Sequence, residues 1–543
     1  MSIQSMAEAA GTRRTPQAEP IPGREADMGQ NHAGGFSFVL DDWARLDRFL
    51  VLGVEAGTYY VGERTLTKEN AAVVTRCLAV DGARVVRRIV EVSEAGRAPK
   101  TEPCIFALAM AMKLGDAPTR AAAQAALPRV CRTGTHLFGL AEAVQAFGGW
   151  GRGTKRAFAS WYTAPSEEDL VYQAIKYQAR NGWSHRDLLR LAKPKGYAPE
   201  TVRGSVFHWI TRGWPEVGDA PHPDAVLARV WAFERAKQSA SPAETVRLIE
   251  EYRLPRECVK TEHLQERVVW DALLRSGSGM PLTALVRNLA TMTRVGLLDS
   301  MGEATRYVVD RLADGDYIRR SRLHPLALLV ALRTYAQGRS ERGTNTWSPV
   351  AQVVDALDRA FPLSFGNVTR TNRRWCLALD VSGSMGMGTI AGLPGITPRV
   401  ASAALAMITA AVEPSHEILA FATQLARLAI SPRQRLDDII RAVSGLPFGG
   451  TDCALPMVYA AQARVPFDAF VILTDSETWH GSIHPAQALR MYRESMGIPA
   501  RLIVVGMTAT EVTVADPADG GSLDVVGFDT STPQVMADFV GAG

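Results

Sequence analysis

No apolar run in this sequence approaches the roughly 20 residues that a membrane span requires. The longest, IFALAMAM from Ile105 and ASAALAMITAAV from Ala401, stop well short of it. The opening stretch MSIQSMAEAAGTRRTPQAEPIPG lacks the apolar segment of a secretory signal, so a cytoplasmic location is expected. Cysteine is scarce and unpaired in pattern. Cys77, Cys104, Cys131, Cys258, Cys376 and Cys453 contain no C-x-x-C, which excludes a zinc ribbon or a disulfide framework and leaves reduced, mostly buried thiols. Charged residues stand at 21% and apolar ones at 47% of 543 residues. That is the balance of a folded chain too long for one ordinary core, and two or three domains are expected.

Net charge is small, at +4, but unevenly laid out. Residues 119–213 hold 14 Lys/Arg against 6 Asp/Glu, a surplus of +8, whereas residues 374–543 hold 10 against 16, or −6. Such an asymmetry points to a polyanion partner for the basic part; the alternative is a solvated helical face. Within it, Arg152, Lys155, Arg156, Lys176, Arg180, His185, Arg186, Arg190, Lys193 and Lys195 are interleaved with Trp150, Trp161, Tyr162, Tyr172, Tyr177 and Trp183. Cations bind phosphate and aromatic rings stack on bases, although helices also use such rings as core anchors. EEDLVYQAIKYQAR reads as one helix, which would put Lys176 and Arg180 on one face.

Strand-like alternation is nearly absent before residue 370. Residues 1–34, rich in Pro, Gly, Gln and Ala without periodicity, read as a disordered leader. From Phe36 onward, helix-length stripes broken by Gly, Pro or Asp follow one another, the first breaking at Gly53 and Gly57. Over residues 35–370 this predicts an α-helical solenoid of degenerate repeats. From about residue 371, buried strands (WCLALD, EILAFAT, ARLAI, AFVILTD, RLIVVGM, LDVVGF) alternate with helices. A three-layer, mostly parallel α/β domain is expected over 371–543.

Two of these strands end in acids, where parallel sheets place their ligands. Asp380 is followed at spacings of two by Ser382 and Ser384, with Gly383 between them to let the backbone turn tightly. PFGGTD brings Thr451 after a glycine pair, and AFVILTDS ends in Asp475. Two carboxylates plus hydroxyls form an oxygen-only set suited to octahedral Mg2+. The set resembles the metal-ion-dependent adhesion site of the von Willebrand factor A domain, a Rossmann-like fold, with every ligand position filled. The resemblance implies that the serines and the threonine touch the metal, that the acids act largely through water, and that a partner's carboxylate takes the open position.

NHAGGF, DRFLVLGVEAGTYY, RTGTHLF, GGWGR, KYQARNGWSHRDLLRLAKPK, LTALVRNLATMTRVG and LHPLALLVALRTYAQG, in this order before the A domain, resemble the TROVE module of the Ro autoantigen family. The likeness covers about residues 31–540. It implies HEAT-like helical repeats closed into a ring near the A domain. On its basic outer surface the ring would bind small noncoding Y RNAs, and its central hole would take single-stranded 3′ ends of misfolded RNA. It further implies RNA quality control without intrinsic nuclease activity and, in bacteria, an exoribonuclease tethered through the RNA. A ring closed within one chain needs no second subunit. His185, in GWSHRD, matches the family's RNA-contacting histidine, and Arg132 and Thr133 match positions near the mouth of the hole. Lys193 departs from the pattern, standing where many relatives have a histidine, but it keeps a donor.

Two rival readings are weighed. A metal-dependent ribonuclease would need an acid–base pair or a carboxylate cluster, and the single metal set has two acids, with His480 and His484 in a nearby loop. A protein-binding scaffold using the A-domain metal site would have no need of the +8 surplus in one stretch.

Overall fold

Helix starts are set by short polar side chains. Asp41, Asp116, Thr133, Ser166, Ser184, Thr201, Asp224 and Ser241 each accept a backbone N–H from the first helical turn, satisfying donors that a helix otherwise leaves open. The computed structural model describes residues 3–9, 11–53, 71–195, 197–214, 217–277, 279–321, 323–340, 344–365, 368–387, 390, 396–431, 434–446, 449–508, 510–527 and 531–542. Helices follow one another from Asp42–Leu52 to Ala351–Leu363, each packing mainly on near neighbours in sequence. Glu102–Leu114, for instance, meets Ala72–Ala95, Ala117–Val130 and Gly134–Ala146. Gly53 ends the first of the series with φ 87°; the break expected at Gly57 lies outside the described residues. No helix among the described residues is long and apolar enough to cross a membrane.

The strands are β1 (Met28–Gln30), β2 (Phe36–Val39), β3 (Ala179–Arg180), β4 (Trp183–Ser184), β5 (Trp375–Asp380), β6 (His416–Phe421), β7 (Leu425–Arg427), β8 (Ala469–Thr474), β9 (Arg501–Gly506), β10 (Val512–Thr513) and β11 (Ser522–Val526). The main sheet has the order β11-β9-β8-β5-β6-β7, parallel except for the edge strand β7. Side chains alternate between its faces. Trp375, Leu377 and Leu379 join an apolar cluster continuous with the helical part, whereas Cys376 and Ala378 face a second cluster with Met457, Leu489 and Tyr492. Both faces are covered, as the apolar runs require.

Two expectations fail. The first is the disordered leader. Residues 3–9 form a helix whose Met6 and Ala7 are buried in the second cluster, and β2 pairs antiparallel with both β1 and β10. Gln17 and Asn31, which look like solvated polar residues in sequence, are buried because they bond to the A domain. The unit drawn as 371–543 therefore also takes in described residues of the stretch 3–9 and 11–39.

The second is the helix through Arg180. It stops at Lys176, and β3 and β4 form a hairpin across Asn181 (φ 54°) and Gly182 (φ 76°). Asn-Gly with both φ positive is the favoured two-residue hairpin turn, and here it overrides the helical stripe. Lys176 and Arg180 do not share a helix face.

Two polar contacts tie distant parts together. Arg48, fully buried in the helix Asp42–Leu52, pairs with Asp524 of β11 through two bonds of 2.8 and 3.0 Å. His324 Nε2 lies 3.3 Å from the carbonyl of Arg97, across 227 residues.

Candidate metal centre and nucleic-acid interface

β5 delivers Asp380 to the carboxyl edge of the sheet, fully buried. Its Oδ1 accepts the Ser382 amide at 2.8 Å and its Oδ2 accepts the Thr474 hydroxyl at 2.6 Å. Ser382 and Ser384 hydroxyls lie 2.9 Å apart. Just after β8, Asp475 presents Oδ1 to the Glu477 amide at 3.1 Å, while its Oδ2 is buried without a hydrogen-bond partner among the described residues. Thr451 is buried, and its carbonyl accepts the amides of Trp479 and His480 at 3.0 and 3.1 Å. The loop after Asp475 thus holds Thr451 beside it.

Two carboxylates are therefore enclosed together. Burial, then the charge of Asp475, pushes the Asp380 carboxyl up to about 7. Burial also raises Asp475, opposed by the Ser384 hydroxyl and the Glu477 amide. An orphaned carboxylate oxygen, hydroxyl donors and excess negative charge are what a hard divalent cation neutralises, so the donor set fits the metal read from the sequence. Sequence reasoning missed three neighbours. Thr474 sits directly before the second acid and could have been noticed. Glu477, buried two positions beyond Asp475, gave no pattern. Neither did Arg399, buried, whose Nη2 donates to the carbonyls of Val381 and Ser382 at 2.6 and 3.0 Å, bracing the serine loop.

The basic candidates divide. Arg152 and Arg156 are exposed on the helix Arg152–Thr163, with Lys155 half-buried between them. Trp150 packs on Trp183 with ring centroids 5.5 Å apart, bringing that helix's start beside the hairpin that exposes Arg180. Arg186 and Arg190 are exposed on the next helix, His185–Ala192, although Arg190 donates to the carbonyl of Thr211 at 3.2 Å. Others are engaged within the fold. Lys176 donates to the Tyr172 hydroxyl at 2.8 Å and sits over the Tyr172 and Tyr177 rings. Arg132 donates to Ser93 Oγ and the Arg129 carbonyl, both at 2.9 Å, and Thr133 caps the helix Gly134–Ala146.

His185 is enclosed by the fold. It is 3% exposed, its Nδ1 shares a 2.8 Å hydrogen bond with the Tyr162 hydroxyl, and its ring meets Phe138 edge-on at 4.7 Å. Burial lowers its pKa to about 4. That burial disfavours the charged imidazole, and the ring packs among the aromatic side chains of the helical part. Trp161 and Tyr162 are likewise buried, as core anchors.

Family models match both parts of the chain: the TROVE domain over residues 29–218 and 249–334, and the Ro60 vWA domain over residues 374–540. The chain is 42% identical over 539 residues to the RNA-binding protein RO60 of Deinococcus radiodurans, covering 99% of each. The chain belongs to the Ro60 family. A Caenorhabditis elegans protein of the same name is 34% identical over 582 residues, covering 94% of this chain and 90% of that one. The crystal structure of the Deinococcus radiodurans RO (RSR) protein superposes with a TM-score of 0.71 over 92% of this chain and 100% of that one. All five metal candidates fall within the Ro60 vWA match, and the basic candidates within the TROVE match. The TROVE match also begins inside the leader, at residue 29.

Proposed function

We propose that this Ro60-family chain binds RNA through the surface formed by Arg152, Lys155, Arg156, Arg180, Arg186 and Arg190. One observation carries the reading. Arg152, Lys155, Arg156, Arg180 and Arg186 cluster on adjoining elements, and none is in an ion pair among the described residues. Cations left without carboxylates are available to phosphate. That the two RO60 relatives are named RNA-binding proteins supports it. The finer reading is a small, structured, Y-like RNA on this outer surface and single-stranded 3′ ends of misfolded RNA in the hole of a HEAT-like ring. The His324–Arg97 and Arg48–Asp524 contacts support closure. On this reading the protein is a cytoplasmic monomer in RNA quality control, cooperating with an exoribonuclease through the RNA and cutting none itself.

At the A domain, Asp380, Ser382, Ser384, Thr451 and Asp475 would hold Mg2+, which would supply the positive charge that the enclosed carboxylates lack. The two sites are separable. Replacing Arg152, Lys155, Arg156, Arg180 and Arg186 with alanine should abolish binding of a labelled Y-like RNA, whereas Asp380→Ala should leave it nearly intact and remove the rise in melting temperature on adding Mg2+. Equal loss of RNA affinity in both would place the metal edge in the RNA interface.

A further inference from the structure

The loop from Asp475 to Ile483 has no regular structure, yet it carries one metal acid and holds the threonine. Its free side is occupied by the leader. Gln17, fully buried, donates from Nε2 to Asp452 Oδ1 at 2.7 Å and to the carbonyl of Ile483 at 2.8 Å, and its Oε1 accepts the Thr478 hydroxyl. The Gln17 amide donates to the carbonyl of Gly481 at 2.9 Å. Asn31 Nδ2 donates to the carbonyl of Thr478 at 2.8 Å, the Ala33 amide to Glu477 Oε2 at 3.0 Å, and Ser37 Oγ to the carbonyl of Ser476 at 3.3 Å. The fit is close. A Cβ on Gly35 would lie 1.9 Å from the Thr478 carbonyl oxygen, and one on Gly481 would lie 2.2 Å from Gln17 Nε2.

These bonds reach the donor set in one further step. Thr478 Oγ1 accepts the Cys453 amide at 3.1 Å, and the next two amides close on the Thr451 carbonyl. Ser476, between Asp475 and the bonded Glu477, has φ 63°, a conformation that a non-glycine residue keeps only when its surroundings impose it. Moving this loop displaces Asp475 and Thr451 together.

We propose that leader residues Gln17 and Asn31 are positioning residues of the metal centre, setting its cation affinity from outside the donor set. The inference rests on the reading of that set as a Mg2+ site. Coupling of this kind is reciprocal: what tightens the metal site must tighten the leader when metal binds.

The test is calorimetric titration of the full-length protein with MgCl2. Gln17→Ala and Asn31→Ala each remove buried hydrogen bonds to the loop and should weaken Mg2+ binding about three- to tenfold, the range for one or two such bonds. Arg24→Ala is the control. Arg24 also anchors the leader, through two bonds of 2.8 and 2.9 Å to Asp516, and among the described residues its side-chain hydrogen bonds go to Asp27 and Asp516, outside the loop. Its loss should lower the melting temperature and leave Mg2+ affinity within about twofold, below the effect of a single buried bond. In the unmodified protein, hydrogen exchange at the amides of Gln17, Ala33 and Gly35 should slow on adding Mg2+, a readout that needs no variant to fold. Mg2+ binding in the parent with unchanged affinity in both loop variants and unchanged exchange overturns the coupling alone. Equal weakening by Arg24→Ala reduces it to general destabilisation and overturns it too. No Mg2+ binding by the parent overturns the metal reading and this inference together.

Discussion

At the scale of one residue, His185 shows how a side chain suited to binding anions can be taken up by packing. Its ring lies nearly parallel to Trp161 at 5.9 Å and edge-on to Tyr162 at 5.7 Å. Gly134 abuts it so closely that a Cβ there would lie 2.9 Å from its Nε2. The pKa, lowered to about 4 by burial, gives a stability prediction with a definite sign. The unfolded chain protonates its histidine near 6.5 and the folded chain only near 4. Stability from this group is therefore complete above pH 6.5 and is lost as pH falls toward 4. The loss amounts to about 2 kcal/mol by pH 5. His185→Gln should be less stable than the parent at pH 7, with the gap closing by about that much at pH 5. Urea unfolding at the two pH values measures it, and a constant gap would show that the buried ring does not stay neutral.

At the scale of the element, the hairpin β3–β4 puts Arg180 where a continued helix would not. Gly182→Val places a β-branched side chain at φ 76°, which should destabilise the turn by about 1–2 kcal/mol. Arg180 then loses its place beside Arg152, and RNA affinity should drop severalfold with little change in global melting; unchanged affinity would remove the hairpin from the interface. The hairpin also marks what was legible in the sequence. β5 and β8 could be read because a strand buried on both faces is a continuous apolar run, and Asp380 and Asp475 followed from where those runs end. Asn181-Gly182 was equally readable but outweighed by the apolar spacing before it. The leader was not legible. Its order comes from hydrogen bonds to residues more than 400 positions away, and nothing in the local pattern of Gln17 or Asn31 announces a partner. Arg399 was hidden because its partners are the backbone carbonyls of Val381 and Ser382, which no side-chain pattern marks.

At the scale of the whole molecule, charge and packing are divided. The basic surface lies in the TROVE part, and the −6 surplus lies in the part that holds Asp380 and Asp475. If five cations without an ion pair among the described residues each meet a phosphate of a duplex segment, log affinity should fall against log salt with a slope of about −4.5. Titrations of one RNA between 50 and 200 mM salt would show a drop of roughly two to three orders of magnitude. A flat response would mean that these cations only solvate the fold.

The embrace of the A domain by the leader also imposes an order on synthesis. Gln17 emerges from the ribosome long before Asp452, Thr478 and Ile483, to which it bonds. At about 5–20 residues per second, the leader waits roughly twenty seconds to a minute and a half for its partners to be translated. The helices of the TROVE part, whose contacts are mainly local, have that interval in which to fold. The leader cannot close on this loop before the loop is made, so what is translated first is completed late, and a bulky fusion ahead of it would meet the chain at that step.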